Sequence, residues 1–330
     1  MIENPETGAL EAIDFKYIEE HLPEIKRFEY RVDAYSFDPV IDSSDMGPEG
    51  WIKIARVIYD HYDSYDGFVV LHGTDTMAYT ASALSFMLSG LSKPVLLTGS
   101  QLPIGVIRTD GKENLLTSIE IAAAKREDGS PMVTEVAVFF NNKLLRGNRV
   151  TKSSADLFDA FISPNCLPLA TAGINIHYDR NLLRPEPENV TEGLSIHTEL
   201  DTNVMVLTIF PGMPVSVLES TFGTKGLRAV VMQTFGSGNA PLSDAFLGAI
   251  RTAVAKGIII VNVTQCLVGS VNMDRYATGI TLKKAGVVSG HDLTTEAALA
   301  KLMFLLGDST RPDEEVKALM QKDIKGEITE

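Results

Sequence analysis

One segment constrains the fold more than any other: GFVVLHGTDTMAYTASALSFML, residues 67–88. An apolar run of strand character stops at His72-Gly73, and a helical pattern opens after Thr74-Asp75-Thr76. A chain that changes period from two to 3.6 across a short turn is building a βα unit. The change recurs. Residues 51–65 read as helix, 68–72 as strand, 76–89 as helix, 95–98 as strand, 108–126 as containing a helix, and 136–140 as strand. Such alternation specifies an α/β protein with largely parallel sheets.

From 166 to 201 the periodicity fails, and NLLRPEPENVTEG supplies prolines, acids and a glycine, which reads as a loop-rich connection. The pattern restarts with strands at 204–210, 229–234 and 258–263 and helices near 242–255, 294–306 and 313–322. The expectation is two α/β domains: a larger N-terminal one over 1–190 with a mostly parallel sheet flanked by helices, and a smaller C-terminal one over 203–330. A linker at about 185–202 joins them. No internal repeat accompanies the division. The first fifty residues hold no strong buried strand with a glycine turn after it, so on this reading the chain begins late for a parallel sheet.

A formal net charge of -14 repels phosphate backbones and anionic membrane surfaces, and no Lys/Arg cluster forms a basic stripe against it. Neither nucleic acid nor a membrane is expected as a partner. The longest apolar run, within GIIIVNVTQC, is far too short to span a bilayer, and the N-terminus has no basic start or apolar core of a leader. Cys166 and Cys266 lie far apart with no zinc or redox spacing, read as buried apolar residues, and fit a reducing compartment. These features point to the cytoplasm.

The strand-to-helix junction at Thr74 and Asp75 admits two readings. Either residue can be an N-cap worth about 1 kcal/mol. Alternatively, a hydroxyl is a nucleophile or positions water while Asp75 orients a neighbour or holds a substrate ammonium. Polar clusters recur at other strand ends and loops: Asp42-Ser43-Ser44-Asp45, Thr98-Gly99-Ser100-Gln101, and Arg146-Gly147-Asn148-Arg149-Val150-Thr151-Lys152. Taken singly they are turn chemistry. In an open α/β sheet, however, ligands bind at carboxyl ends of strands, where such clusters converge. Lys152, brought near Thr74 in a partly dry pocket, would accept a hydroxyl proton. The six histidines lack metal-ligand spacing, and no GxSxG, GxxxxGK[ST] or GxGxxG motif occurs after a strand.

Five ordered segments, DSSDM, HGTDTMAYTASALSFML, TGSQLP, RGNRVTKSSADLFDAF and VNVTQC, together resemble the cytoplasmic, type I bacterial L-asparaginases of the asparaginase/glutaminase family. The resemblance implies hydrolysis of L-asparagine to L-aspartate and ammonia by hydroxyl chemistry, an amidohydrolase of the EC 3.5.1.1 type, without metal or cofactor. It carries over a Thr-Asp-Lys group as Thr74, Asp75 and Lys152, and a substrate-binding segment as Asp42, Ser43 and Ser44. Backbone N-H groups near Thr74 would stabilise the oxyanion, typically by about 3 kcal/mol per donor. Glu296 matches an acid that approaches the substrate ammonium across a subunit interface, which implies a homodimer or a dimer of dimers. Thr151, Asn239 and Cys266 match an effector site found in some members, where Gln233 stands in place of an arginine. A neutral amide there lacks the bidentate carboxylate contact, so effector control is not expected.

The family's other threonine, its usual primary nucleophile, lies in a glycine-rich TGGTIG turn after a first strand. That motif is absent from these 330 residues. The opening MIENPETGALEAI resembles the family segment just downstream of that turn, so the resemblance places the first strand and its nucleophile ahead of Met1. Thr7 falls in PETG, a turn that resembles the mobile lid, and the lid tyrosine has no counterpart near Ala9-Leu10. Two other functions compete: a related amidase acting on glutamine or on a peptidyl or tRNA-linked amide, and a non-catalytic asparagine-binding protein.

Overall fold

The computed structural model describes residues 2–3, 10–11, 20–185 and 193–329. They divide into two compact units, one containing residues up to 163 together with 167–196, the other 164–166 together with 197 onward. Thr7 and the PETG turn lie outside the described residues, as does the middle of the expected linker, 186–192.

In the first unit, helix α1 (Pro48–His61) precedes strand β1 (Phe68–Leu71), which leads into α2 (Met77–Met87). Strand β2 (Val95–Thr98), helix α3 (Gly111–Ala123) and strand β3 (Val136–Phe140) come next, then the short strands β4 (Lys143–Arg146), β5 (Ala170–Ala172) and β6 (Ile176–Tyr178). The sheet order is β6-β5-β4-β3-β2-β1, with β1 at an edge among the described residues. β1, β2 and β3 run parallel, whereas β4, β5 and β6 are added antiparallel. Asn141 and Asn142 both have positive φ, 44° and 66°, and make the two-residue turn between β3 and β4. β2 and β3 are buried along their whole length, which explains why VLLT and VAVFF read as continuous apolar runs.

The second unit is a four-stranded parallel sheet, β7 (Val204–Thr208), β8 (Ala229–Thr234), β9 (Ile259–Thr264) and β10 (Val288–Ser289), in that spatial order. Helices α4 (Val215–Phe222), α5 (Asp244–Ala255) and α6 (Ala277–Lys284) cover one face, where Val230 and Met232 of β8 meet Leu218, Ile250 and Leu282. Helices α7 (Thr295–Gly307) and α8 (Asp313–Met320) cover the other, where Ala229 and Val231 meet Ala297, Leu302 and Val316. Alternate residues of one strand thus feed two cores, each large aliphatic side chain contributing about 1.5–3 kcal/mol on burial. The protein is α/β in two domains, as the alternation implies.

Several details depart from the expectations drawn from sequence. The helix expected over 76–89 stops at Met87, because Leu88 turns extended (φ -97°, ψ 113°) and Leu88-Ser89 pairs antiparallel with Ser195-Ile196. The stretch expected to be loop-rich, 166–201, contains β5, β6 and that Ser195-Ile196 strand. Strands of two or three residues are too short to display a period. Helices α4 and α6, of eight residues each, are likewise too short to stand out in the sequence pattern. Cys266 is exposed and Cys166 half-buried, so neither is the buried apolar residue expected.

The turn after β2 is tight for a reason that bears on the site. A Cβ on Gly99 would overlap the carbonyl oxygen of His72 and lie 2.9 Å from Met77 Cε. Backbone of the strand end cannot yield without moving the Thr74 loop. Gly99→Ala is therefore expected to destabilise the fold by about 1–3 kcal/mol, measured by denaturant unfolding. An unchanged midpoint would remove the steric argument.

Candidate active site

His72 begins the site. Its backbone N-H donates to Thr98 O (2.8 Å), continuing the β1–β2 ladder for one residue. Its buried ring places Nδ1 2.6 Å from Gly73 O and Nε2 2.9 Å from Thr80 Oγ1, and Trp51 Nε1 lies 3.1 Å from the same hydroxyl. For a neutral ring, only one proton arrangement satisfies all three contacts. A carbonyl can only accept, so Nδ1 carries the proton; Nε2 then accepts from the Thr80 hydroxyl, which in turn accepts the indole N-H. Burial pushes the His72 pKa down, partly opposed by the Gly73 carbonyl. The neutral ring fixes the peptide that enters the Thr74 loop.

Gly73 leaves no room for a side chain, because a Cβ there would overlap Ser43 Oγ. The hydroxyl of Thr76 donates to Ser43 O at 2.6 Å. Those two contacts bring the Asp42-Ser43-Ser44 turn against the Thr74 loop, about thirty residues away in sequence. Within that turn Asp42 Oδ1 accepts both the N-H (2.8 Å) and the hydroxyl (2.7 Å) of Ser44. These bonds, the hydroxyl's foremost, hold the Asp42 carboxyl below the usual carboxylate range. It remains an anion able to meet a cationic group.

Thr76, not Thr74 or Asp75, is the cap residue of α2, and its hydroxyl is spent on Ser43 rather than on the helix. The capping role for Thr74 and Asp75 is thereby removed. Thr74 Oγ1 instead receives Lys152 Nζ at 2.8 Å, and the same Nζ lies 2.7 Å from Asp75 Oδ1. Lys152 arrives on a two-residue ladder, Thr151-Lys152 against Phe161-Ile162, just past the turn Gly147–Arg149. Its side chain is 18% exposed and that of Asp75 65%. An ion pair so open to solvent stabilises the fold by no more than about 1 kcal/mol. Its value lies in placing an ammonium between a hydroxyl and a carboxylate.

Gln101, which the sequence pattern marks only as part of the polar TGSQ turn, joins the site directly. Thr74 Oγ1 donates to Gln101 Oε1 at 3.0 Å, while Gln101 Nε2 donates to Leu157 O at 3.1 Å. The backbone N-H of Gln101 is held by both oxygens of Asp110, 3.0 Å each, and Leu102 N by one of them at 3.1 Å. The Thr74 proton thus points at an amide oxygen and Lys152 acts as donor. For Lys152 to accept that proton, it must first pass one to Asp75 or to a substrate. A polar side chain at the carboxyl end of β2 was the available signal for Gln101.

The remaining sequence candidates lie elsewhere. Glu296 is buried in the first turn of α7, behind Thr294, whose hydroxyl accepts Ala297 N. Gln233 lies near the end of β8 and Asn239 just beyond it, while Cys266 lies just beyond β9. Asn239 Oδ1 accepts from Thr278 Oγ1, and Cys266 N donates to Thr264 Oγ1 at 3.0 Å. These four belong to the second unit, whereas Thr151 belongs to the first. Among the described residues no group of three or more His, Cys, Asp or Glu is placed to hold a metal ion.

Because His72 is neutral and buried when folded, its unfolded form takes up a proton near pH 6.5 and its folded form only at lower pH. Its contribution to stability is complete above that pH and is lost as pH falls toward the folded value. In denaturant unfolding at about pH 7.5 and about pH 5.5, the stability gap between the native chain and His72→Asn should narrow at the lower pH. A gap that stays constant would contradict a ring held neutral by burial.

Both units of the chain resemble known proteins. The family described as Asparaginase, N-terminal, matches residues 1–184, and the Glutaminase/Asparaginase C-terminal domain matches residues 203–320. L-asparaginase 1 of Escherichia coli (strain K12) is 46% identical over 309 residues, covering 94% of this chain and 87% of that protein. The 60 kDa lysophospholipase of Mus musculus is 47% identical over 291 residues, 88% of this chain but 50% of that protein. Among solved structures, L-asparaginase I from Vibrio cholerae superposes with a TM-score of 0.87 at 45% identity, covering 96% of this chain and 93% of the other. With both domain families matched in order along its length, the chain belongs to the asparaginase/glutaminase family.

Proposed function

We propose that the protein is an L-asparaginase that hydrolyses L-asparagine to L-aspartate and ammonia. The observation that carries this reading is the single Lys152 ammonium held between the Thr74 hydroxyl and the Asp75 carboxylate. The relatives named L-asparaginase support the same substrate. Asp42, Ser43 and Ser44 hold the α-ammonium and α-carboxylate of the substrate, with the Asp42 anion on the ammonium side. Its side-chain amide is then directed at Thr74. The proton of the attacking hydroxyl, that of the family's primary nucleophile, passes through Thr74 and Lys152 to the amide nitrogen as that oxygen bonds the amide carbon. The C-N bond breaks, the nitrogen leaves as ammonia, and water hydrolyses the resulting ester.

The family's glycine-rich turn with its primary nucleophile is not among these 330 residues. Thr74, Asp75 and Lys152 therefore carry the supporting proton transfer in this reading. Glu296 of one subunit approaches the substrate ammonium in its neighbour, which makes the protein a homodimer or a dimer of dimers working in the cytoplasm. Residues 1–190 form the catalytic domain, and 203–330 the domain that supplies Glu296. Thr151, Asn239 and Cys266 match an effector site of some family members, and Gln233, in place of the arginine there, offers a neutral amide where a carboxylate would meet a guanidinium.

Lys152→Met removes the proton carrier and leaves a side chain of similar length. Ammonia release should fall by at least about 10²-fold, while the melting temperature stays within a few degrees of native. Native turnover in that variant would remove Lys152 from the mechanism. The competing reading, which the relatives named L-asparaginase do not favour, is a protein that binds asparagine without hydrolysing it. Heat of asparagine binding with no ammonia released would select that reading.

A further inference from the structure

The start of α7, which carries Glu296, is held at Thr295 in its first turn and at Asp292 in the segment that leads into it. On one side the Asp292 carboxylate, itself buried, accepts the N-H of Thr329 at 3.0 Å and the Thr329 hydroxyl at 2.5 Å. On the other side Gln233 reaches from β8, donating Nε2 to Thr295 Oγ1 at 2.7 Å while its Oε1 accepts from Thr208 on β7. The Gln233 amide is therefore a strut between two strands and the helix start.

The segment that supplies Thr329 is also anchored to the helix itself. Lys301 Nζ lies 2.5 Å from Glu327 Oε1 with both side chains fully buried, and donates to Lys322 O at 2.6 Å. Glu327 also accepts the N-H of Ile324 (3.1 Å) and of Lys325 (2.6 Å), so residues 322–329 fold around their own carboxylate. Attachment at Asp292, just before the helix, and again at Lys301 within it brackets Glu296 along the chain. A capping residue such as Thr294 starts a helix but does not fix its rotation or its slide along its axis. Two separated ties do.

We propose that Gln233 and Thr329, acting through Thr295 and Asp292, are positioning residues that set the place of the Glu296 carboxylate and thereby the affinity for the substrate. The proposal rests on the reading of Glu296 as the acid that meets the substrate ammonium. A misplacement of about 1 Å at a binding group is enough to cost up to about 10²-fold. Neither residue touches the ligand. Their effect passes through the first turn of α7.

The test is calorimetric titration of L-aspartate, the product, which reads affinity whether or not a preparation turns over. Glu296→Gln is expected to weaken binding clearly. Thr329→Val and Gln233→Met should each raise the dissociation constant by about three- to tenfold, with Thr329→Ser close to native. In the Glu296→Gln background the same two substitutions should add nothing, since the carboxylate they place is gone. If Thr329→Val and Gln233→Met lower the melting temperature but leave affinity native while Glu296→Gln weakens it, the ties are structural only and the proposal is wrong. Native affinity in Glu296→Gln would instead overturn the reading of Glu296, and the proposal with it. Should Thr329→Val fail to fold, Gln233→Met decides alone.

Discussion

The peptide between His72 and Thr74 is the constraint on which the site depends. Its carbonyl accepts from a histidine whose other nitrogen is held by Thr80 and, through it, Trp51, and its Gly73 is pressed on Ser43 with no space for a side chain. A shift there would separate Thr74 from Lys152 and would also push the Asp42 turn away. Groups from loops about 30 residues before and 78 residues after it are thus registered by one short piece of backbone on a buried strand-helix unit. Polar groups buried in this way rigidify only when every one has its partner, and here the chain from indole to carbonyl is complete.

Comparable logic holds in the second domain by different means. Burial pushes Glu327 up and Lys301 down, and each partner's charge works against that shift. A buried pair of this kind is weak evidence for stability in itself. What the pair adds is a defined register between residues 322–329 and α7. The same helix carries Ala297, Leu302 and Leu305 into the core, so packing fixes its depth while the polar ties fix its rotation.

Much of the fold was legible where apolar runs were long enough to show a period. VLLT, VAVFF and IIVNVT are buried strands, and the helices at 48–61, 244–255 and 295–307 carry clear apolar faces or runs. The two-residue pairings at Leu88-Ser89 and Thr151-Lys152, and the antiparallel strands after β3, were not, because their reason for existing is a partner elsewhere in the chain. For the site, HGTDT announced a strand-to-helix junction, yet nothing local decides between a cap and a catalytic hydroxyl. Thr76 takes the cap position, and Lys152 arrives beside the Thr74 hydroxyl from 78 residues on. Gln101 stayed hidden for a similar reason: its side chain matters only once Thr74 lies beside it.

The central claim is that asparagine sits with its α-groups on the Asp42-Ser43-Ser44 turn and its side-chain amide beside Thr74. A crystal structure of the Lys152→Met variant soaked in L-asparagine tests it most directly. Intact asparagine in that orientation, with its ammonium toward Asp42, is the predicted result. Asparagine bound elsewhere in the molecule, with the turn and Thr74 bare, would contradict the account.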